Sequence, residues 1–405
     1  MSERRPACPL HHADFTADGL DLDPKYAGLR ETDPVTRVTL RYGGDAWLVT
    51  RHADVKTVLA DPRFSRAAAA GRDIARTLPL PDQQDASLPS LDPPEHTRLR
   101  RLVARTFTAR WVKERRERIQ AIVDGLLDDV VAAGPGTDLV GALAWQVPLR
   151  VIAEILGVPA DERDGLKELL EQSVALSADD PEVIMAADAA LDAYLAKLIA
   201  ERRVEPAADL LSELVQARDE GDRLSEDELV TLGVNLLIAG QETTANEIGN
   251  FLYTLLGRRE LWEQLVADPG LVPNAVEELL RHTPLESSVG GLGFTRVALE
   301  DVELGGRTIR AGDAVVAQNA SANRDERVFD HPEDIDFHRE SVPHLTFGHG
   351  PHHCLGAPLA RLELQTVVAT LVRRLPGLRL AIPADEVQWT TNRAVRGVRA
   401  LPVAW

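Results

Sequence analysis

The chain has 405 residues with 64 acidic against 45 basic side chains, a formal net charge of -19, so a phosphate backbone is repelled overall and no nucleic-acid partner is expected. With 44% hydrophobic and 27% charged residues, the composition is that of a globular protein with a sizeable core and excludes general disorder. Two cysteines, Cys8 and Cys354, make no disulfide framework; the N-terminus lacks the apolar stretch of a signal peptide and no apolar run reaches about 18 residues, so a cytoplasmic protein without a membrane anchor is expected.

In chain order, Met1 to Asp21 reads as an irregular arm. Val35 to Thr50 alternates around Gly43-Gly44-Asp45 and reads as a hairpin. The proline-rich, polar segment from Asp73 to Ser90 reads as a mobile loop, and Leu176 to Glu182 as a break between two helices. Ser225 and Glu228 have capping-box spacing and open a helix that runs to Leu256, roughly 48 Å if unbroken. Val297 to Gln318 is a second β-rich stretch, turning at Gly305-Gly306 and at Ala311-Gly312-Asp313. Leu364, Val368, Leu371 and Leu375 fall on one helical face, and Pro376-Gly377 ends that helix. There is no internal repeat and no linker long enough to separate domains. The expectation is one domain over residues 1–405, mainly α with a small β portion near 35–50 and 297–318.

The central helix carries Ala239-Gly240-Gln241-Glu242-Thr243-Thr244 in its middle. Glycine costs about 1 kcal/mol in a helix interior, and a buried unpaired carboxylate costs more. Two readings stay open on this segment alone: a functional site, or a kink with Glu242 facing solvent.

The stretch FGHGPHHCLG, Phe347 to Gly356, sets one thiol after two histidines and among three glycines, ahead of a helix start. A helix N-terminus there favours a thiolate. Adjacent His352, His353 and Cys354 do not easily converge on one zinc ion. A cysteine hydrolase leaves the polar cluster of the central helix without a role. A buried inert cysteine, the commonest case, leaves the glycines and histidines unexplained. A thiolate bound to haem iron accounts for both.

That stretch resembles the haem loop of the cytochrome P-450 family, Phe-x-x-Gly-x-(His/Arg)-x-Cys-x-Gly, at Phe347, Gly350, His352, Cys354 and Gly356. Three further segments in family order are similar to its motifs. EELLR supplies Glu278 and Arg281 of a buried ion-pair set whose third member is Arg339, although Ile335 stands where the family often has phenylalanine. AGQETT resembles the oxygen-activation motif, with Ala239 and Gly240 beside the acid–alcohol pair Glu242-Thr243. DPPEHTRLRRL resembles the helix that reaches a haem propionate, with His96 and Arg100 one turn apart; Arg296 and His352 match other propionate-binding positions.

The resemblance implies a P-450-like fold with haem b between the long central helix and the cysteine loop, and Cys354 as axial ligand of the iron. It implies that Gly240 leaves room for dioxygen, that the Thr243 hydroxyl hydrogen-bonds the activated oxygen and that Glu242 relays protons. The activity implied is insertion of one oxygen atom from O2 into a medium-sized apolar substrate, a biosynthetic intermediate, by hydroxylation or epoxidation. Electrons come from a separate ferredoxin and ferredoxin reductase, for which Arg98, Arg101, Arg105 and Arg361 offer a docking patch. Substrate-lining segments are expected at Asp73 to Ser90, Leu176 to Glu182, near Leu236, at Leu285 to Leu292 and near Asn392 to Val395. Oxidative coupling or desaturation on the same scaffold, or a catalytically silent helper that binds a partner enzyme, are the alternatives.

Overall fold

The computed structural model describes residues 10–15, 19–76, 87–104, 106–173, 181–219, 224–286, 294–390 and 395–405. Several expectations fall on the other positions: most of the Asp73 to Ser90 loop, the break at Leu176 to Asp180, Ser287 to Leu292, Asn392 to Ala394 and Arg105 lie outside the described residues.

The long helix forms because its first turn is closed chemically. Ser225 Oγ accepts the Glu228 N–H at 3.0 Å while the Glu228 carboxylate accepts the Ser225 N–H at 2.8 Å, which satisfies N–H groups that a helix otherwise leaves free. Five helices frame the middle of the molecule: α1 (Glu95–Val103), α2 (Gln146–Leu156), α3 (Glu226–Gly257), α4 (Val272–His282) and α5 (Ala357–Arg374). Helix α3 is continuous over 32 residues. Its glycines and asparagines do not break it, because helices packed on several sides, α2 and α5 among them, bury it. Helix α5 takes Pro358 in its first turn, where no N–H is needed. It ends at Arg374, as the Pro376-Gly377 pair requires.

The β portion is one six-stranded sheet and two ribbons. Strands β1 (Leu10–His11), β2 (Val35–Thr39), β3 (Asp45–Val49), β4 (Phe64–Ser65), β5 (Arg296–Ala298) and β8 (Ala314–Ala317) run in the order β1-β2-β3-β8-β5-β4. β2 and β3 pair antiparallel with Val35 opposite Val49, the hairpin the alternation indicates. β3 pairs parallel to β8, with Trp47 opposite Val315, and β8 pairs antiparallel to β5. The two β-rich stretches, far apart in sequence, therefore share one sheet. β6 (Val302–Leu304) with β7 (Arg307–Ile309), and β9 (Arg379–Leu380) with β10 (Val403–Ala404), are separate ribbons. The arm is less irregular than its sequence suggests, since β1 adds to the sheet beside β2. One large apolar core surrounds α3 and two smaller ones line the sheet. No described helix is long and apolar enough to cross a membrane.

Candidate active site

Cys354 lies just before α5, in a loop shaped by its own backbone. The Cys354 N–H donates to the Phe347 carbonyl at 2.8 Å, and the His353 N–H to the Gly350 carbonyl at 3.0 Å. Gly350 has φ +72° and backs onto the sequence-distant helix His52–Ala60 so closely that a Cβ would lie 2.8 Å from the Ala60 Cα, so only glycine fits. At Gly356 a Cβ would meet one neighbour within 4 Å, the Cys354 sulfur at 4.0 Å; glycine leaves the space beside that sulfur open. Cys354 is accessible to solvent-sized molecules, yet enough protein surrounds it that burial pushes its thiol up. The Gly356 and Ala357 N–H groups and the Arg100 and Arg361 charges pull the other way without prevailing. The helix start alone therefore does not make the thiolate; a bound metal cation is what keeps such a sulfur deprotonated.

Beside the sulfur loop the chain gathers positive groups from four places. His96, from the first turn of α1, and His352 stack with ring centroids 4.3 Å apart. Arg296 opens β5 and Arg66 follows β4. Arg66 ties the surroundings together, donating to the Pro89 carbonyl at 3.0 Å and to the Thr295 carbonyl, while its N–H reaches Asp92. Three buried nitrogens, His96 Nε2, His352 Nε2 and Arg296 Nε, have no hydrogen-bond partner among the described residues. Burial, together with His96, Arg296 and Arg66, pushes His352 down to about 3. Burial and Arg66 likewise bring Arg296 down to about 10. Buried donors that suppress one another's charge are costly unless they meet anions. Two carboxylates on one flat group, next to a sulfur ligand, suit them, so these residues fit haem with its propionates.

Arg100 links that cluster to the sulfur loop, its charge bearing on His96. Its Nη2 donates to the His353 carbonyl at 2.6 Å and its charge bears on Cys354, so it braces the sulfur loop. Arg66, which the motifs do not include, is the additional cation of the donor cluster; the only signal for it in the sequence is an arginine directly after a short strand.

The middle of α3 resolves the two readings of AGQETT. Glu242 is 7% exposed and the helix does not kink there, which removes the solvent-facing alternative. Ala239 is exposed and Thr243 half-buried, one turn apart, while Gln241, Glu242 and Thr244 are buried, so this edge of the helix is its open one. The Thr243 hydroxyl donates to the Ala239 carbonyl at 2.8 Å, and Asn246 Nδ2 donates to the Glu242 carbonyl at 2.8 Å. A Cβ on Gly240 would meet Ile152 of α2 at 3.0 Å, so its missing side chain lets α2 approach α3.

Glu278 and Arg281 are both fully buried, joined by bonds of 2.7 and 2.8 Å. Arg339 reaches the same carboxylate at 3.2 Å, so the three come together as the motif implies. Arg281 also donates to the Asn323, Pro332 and Asp334 carbonyls. A buried ion set is tolerable only when its remaining donors are satisfied in this way.

The Cytochrome P450 family matches residues 180–268 and 263–377. Nocardicin C N-oxygenase of Nocardia uniformis subsp. tsuyamanensis is 51% identical, over 95% of this chain and 96% of its own length. The chain belongs to the cytochrome P450 family. Mycinamicin IV hydroxylase/epoxidase of Micromonospora griseorubida is 47% identical to this P450 over 96% of each chain. Among solved structures, the LnmA cytochrome P450 hydroxylase from the leinamycin biosynthetic pathway of Streptomyces atroolivaceus S-140 aligns with a TM-score of 0.90 at 49% identity, covering 96% of this P450 and 98% of that chain. The chain is thus a haem-dependent P450 monooxygenase with the P450 fold, and its family's cofactor is iron protoporphyrin IX held by a cysteine thiolate.

The arginines of the expected docking patch have different partners in the P450 structure. Arg98 is paired with Glu228 of α3, and Arg361 is held by Glu277. Arg101 is exposed. A broad open cleft of about 1060 Å³ lies between α1 and the start of α3, bordered by Pro94, Arg98, Arg101 and Ser225; it contains no residue of the sulfur loop or the donor cluster.

Proposed function

We propose that this P450 hydroxylates or epoxidises a medium-sized apolar biosynthetic intermediate, with electrons from a separate ferredoxin and ferredoxin reductase. The observation that carries the reading is the set of buried nitrogens left without a partner among the described residues, His96 Nε2, His352 Nε2 and Arg296 Nε, beside the Cys354 loop. The names of similar proteins, an N-oxygenase, a hydroxylase/epoxidase and a biosynthetic hydroxylase, support the reaction class and the kind of pathway.

Cys354 would hold the iron through its sulfur, with Phe347, Gly350 and Gly356 shaping the loop that presents it. His96, His352 and Arg296 would donate to the propionates, charge-assisted bonds that are stronger than neutral ones. Bound haem supplies the redox chemistry that cleaves dioxygen and transfers one oxygen atom to the substrate. Thr243, on the open edge of α3 beside Ala239, is the hydroxyl donor at that step; Glu242, buried one residue before it, is the acid that replenishes its proton. Glu278, Arg281 and Arg339 hold the chain beneath the loop without touching substrate.

The enzyme purified with ample porphyrin supply is expected to show the red-shifted Soret band of a thiolate-ligated carbonyl complex. Cys354→Ser is expected to abolish that band, and its persistence would remove Cys354 as the ligand. Spectral shifts with a compound library, followed by mass analysis, test the reaction: a gain of one oxygen supports it, and loss of two hydrogens points to coupling or desaturation. Reduction by a ferredoxin should slow as salt rises.

A further inference from the structure

Glu277 stands one residue before the buried Glu278, yet it serves a different partner. Its carboxylate accepts Arg361 Nε at 2.7 Å and Arg361 Nη2 at 2.9 Å, a bidentate pair that fixes the guanidinium plane. The ring of His344 meets the same carboxylate at 3.2 Å. His344 Nδ1 accepts the Thr346 N–H at 3.3 Å, so its Nε2 carries the hydrogen and donates to Glu277. Burial works to raise the Glu277 carboxyl, but the hydrogen bonds from His344 and Arg361 and the Arg361 charge outweigh it and bring it down to about 2.

Arg361, clamped in this way, lies over the Phe347 ring, its guanidinium carbon 4.5 Å from the centroid. The carbonyl of that same Phe347 receives the Cys354 N–H. The Arg361 charge is one of those that oppose the upward push of burial on the Cys354 thiol. Three elements thus converge on one cation beside the sulfur: α4 through Glu277, the loop before Phe347 through His344, and α5 through Arg361.

We infer that Glu277 is a positioning residue for the sulfur ligand: by clamping Arg361 flat over Phe347 it fixes the cation that offsets negative charge on Cys354, and so sets how readily the metal centre is reduced. The inference rests on Cys354 being the iron ligand. Reduction adds one negative charge to that centre, so a cation held nearby favours the reduced state. An arginine released from its clamp moves toward solvent, where water and salt screen its charge.

The test uses the haem-loaded enzyme with Glu277→Gln, Glu277→Asp, Arg361→Gln and the Glu277→Gln/Arg361→Gln pair. Two quantities are read: the midpoint potential of the ferric–ferrous couple, and the rate at which the carbonyl complex loses its thiolate band. Glu277→Gln and Arg361→Gln are each expected to lower the midpoint by a similar amount and to speed band loss several-fold. The double variant should go no further than Arg361→Gln alone, because the two residues act as one unit, and Glu277→Asp should recover part of the loss. A parent-like midpoint and band lifetime in Glu277→Gln, with both moved in Arg361→Gln, would overturn the inference. So would effects that simply add in the double variant. Should Glu277→Gln fail to fold, an Arg361→Gln enzyme indistinguishable from the parent overturns it as well. Absence of the thiolate band in the parent is a different failure, that of the Cys354 assignment itself.

Discussion

Thr243 and Ala239 share a hydrogen bond of 2.8 Å, hydroxyl to carbonyl, one turn apart on the open edge of α3. The bond holds the hydroxyl against the helix until something better accepts its hydrogen. Such a bond contributes only about 0.5–1.5 kcal/mol net, so a reacting oxygen species can compete for it. Thr243→Ala is expected to leave fold and haem binding intact while diverting oxygen to peroxide; Thr243→Ser should restore coupling. The ratio of product formed to reductant consumed reads this directly, and an unchanged ratio in Thr243→Ala would take Thr243 out of the proton relay.

Glu278 is fully buried and faces two arginines. Replacing it with glutamine leaves the Arg281 cation in the interior without its counter-charge. A loss of about 3–5 kcal/mol is expected, measurable as a lower urea midpoint for the apoprotein and the holoprotein alike. A loss below about 1 kcal/mol would mean that the backbone carbonyls around Arg281 suffice by themselves.

Glu247 is a fully enclosed carboxyl on α3, bonded at 3.2 Å to the Thr283 hydroxyl. Thr283 in turn donates to the Leu279 carbonyl at 2.7 Å, so a protonated Glu247 donates to Thr283. Burial pushes Glu247 up to about 8, above the unfolded value near 4.3. Between those two values the folded chain keeps a proton that the unfolded chain gives up, so stability falls as pH rises through that window. Glu247→Gln should match the parent near pH 5 and exceed it by pH 8, on the order of 4 kcal/mol by the shift. Thermal unfolding of both proteins across that range is the measurement; parallel curves would refute it.

Arg296 is 5% exposed and its Nε has no partner among the described residues. Arg296→Met removes a repulsive neighbour of His352 and should leave the apoprotein no less stable. Haem, by contrast, should transfer to excess apomyoglobin several-fold faster than from the parent. Equal transfer rates would show that Arg296 does not face a propionate.

Much of the site is legible locally because its chemistry is written in short segments. The turn glycines, the thiol and the first helical residues of the Cys354 loop are neighbours in sequence, and Glu278 and Arg281 share one helical face. Arg66, Glu277 and His344 escape such a reading because each acts on a partner far along the chain: Arg66 on Thr295, Glu277 on Arg361 and His344 on Glu277. An arginine after a strand, or a second glutamate in EELLR, carries no mark of such a partner.

Gly240 and Arg100 show the converse: the motif marks the position, and the fold adds a neighbour, Ile152 for one and the His353 carbonyl for the other. The sequence can say that a residue lacks a side chain or bears a charge; it cannot say which way that position faces once helices pack.

By itself, then, the sequence determined the capped central helix, the hairpin at 35–50, the helix stop at Pro376-Gly377 and the thiol loop, since each depends on contacts within a turn or two. Tertiary structure alone decided that the two β-rich stretches share one sheet, that Gly240 faces Ile152, that Arg100 braces the sulfur loop and that Glu277 holds Arg361. Those outcomes depend on packing and charge between segments tens to hundreds of residues apart, where local propensity exerts no preference and only the folded geometry selects the partner.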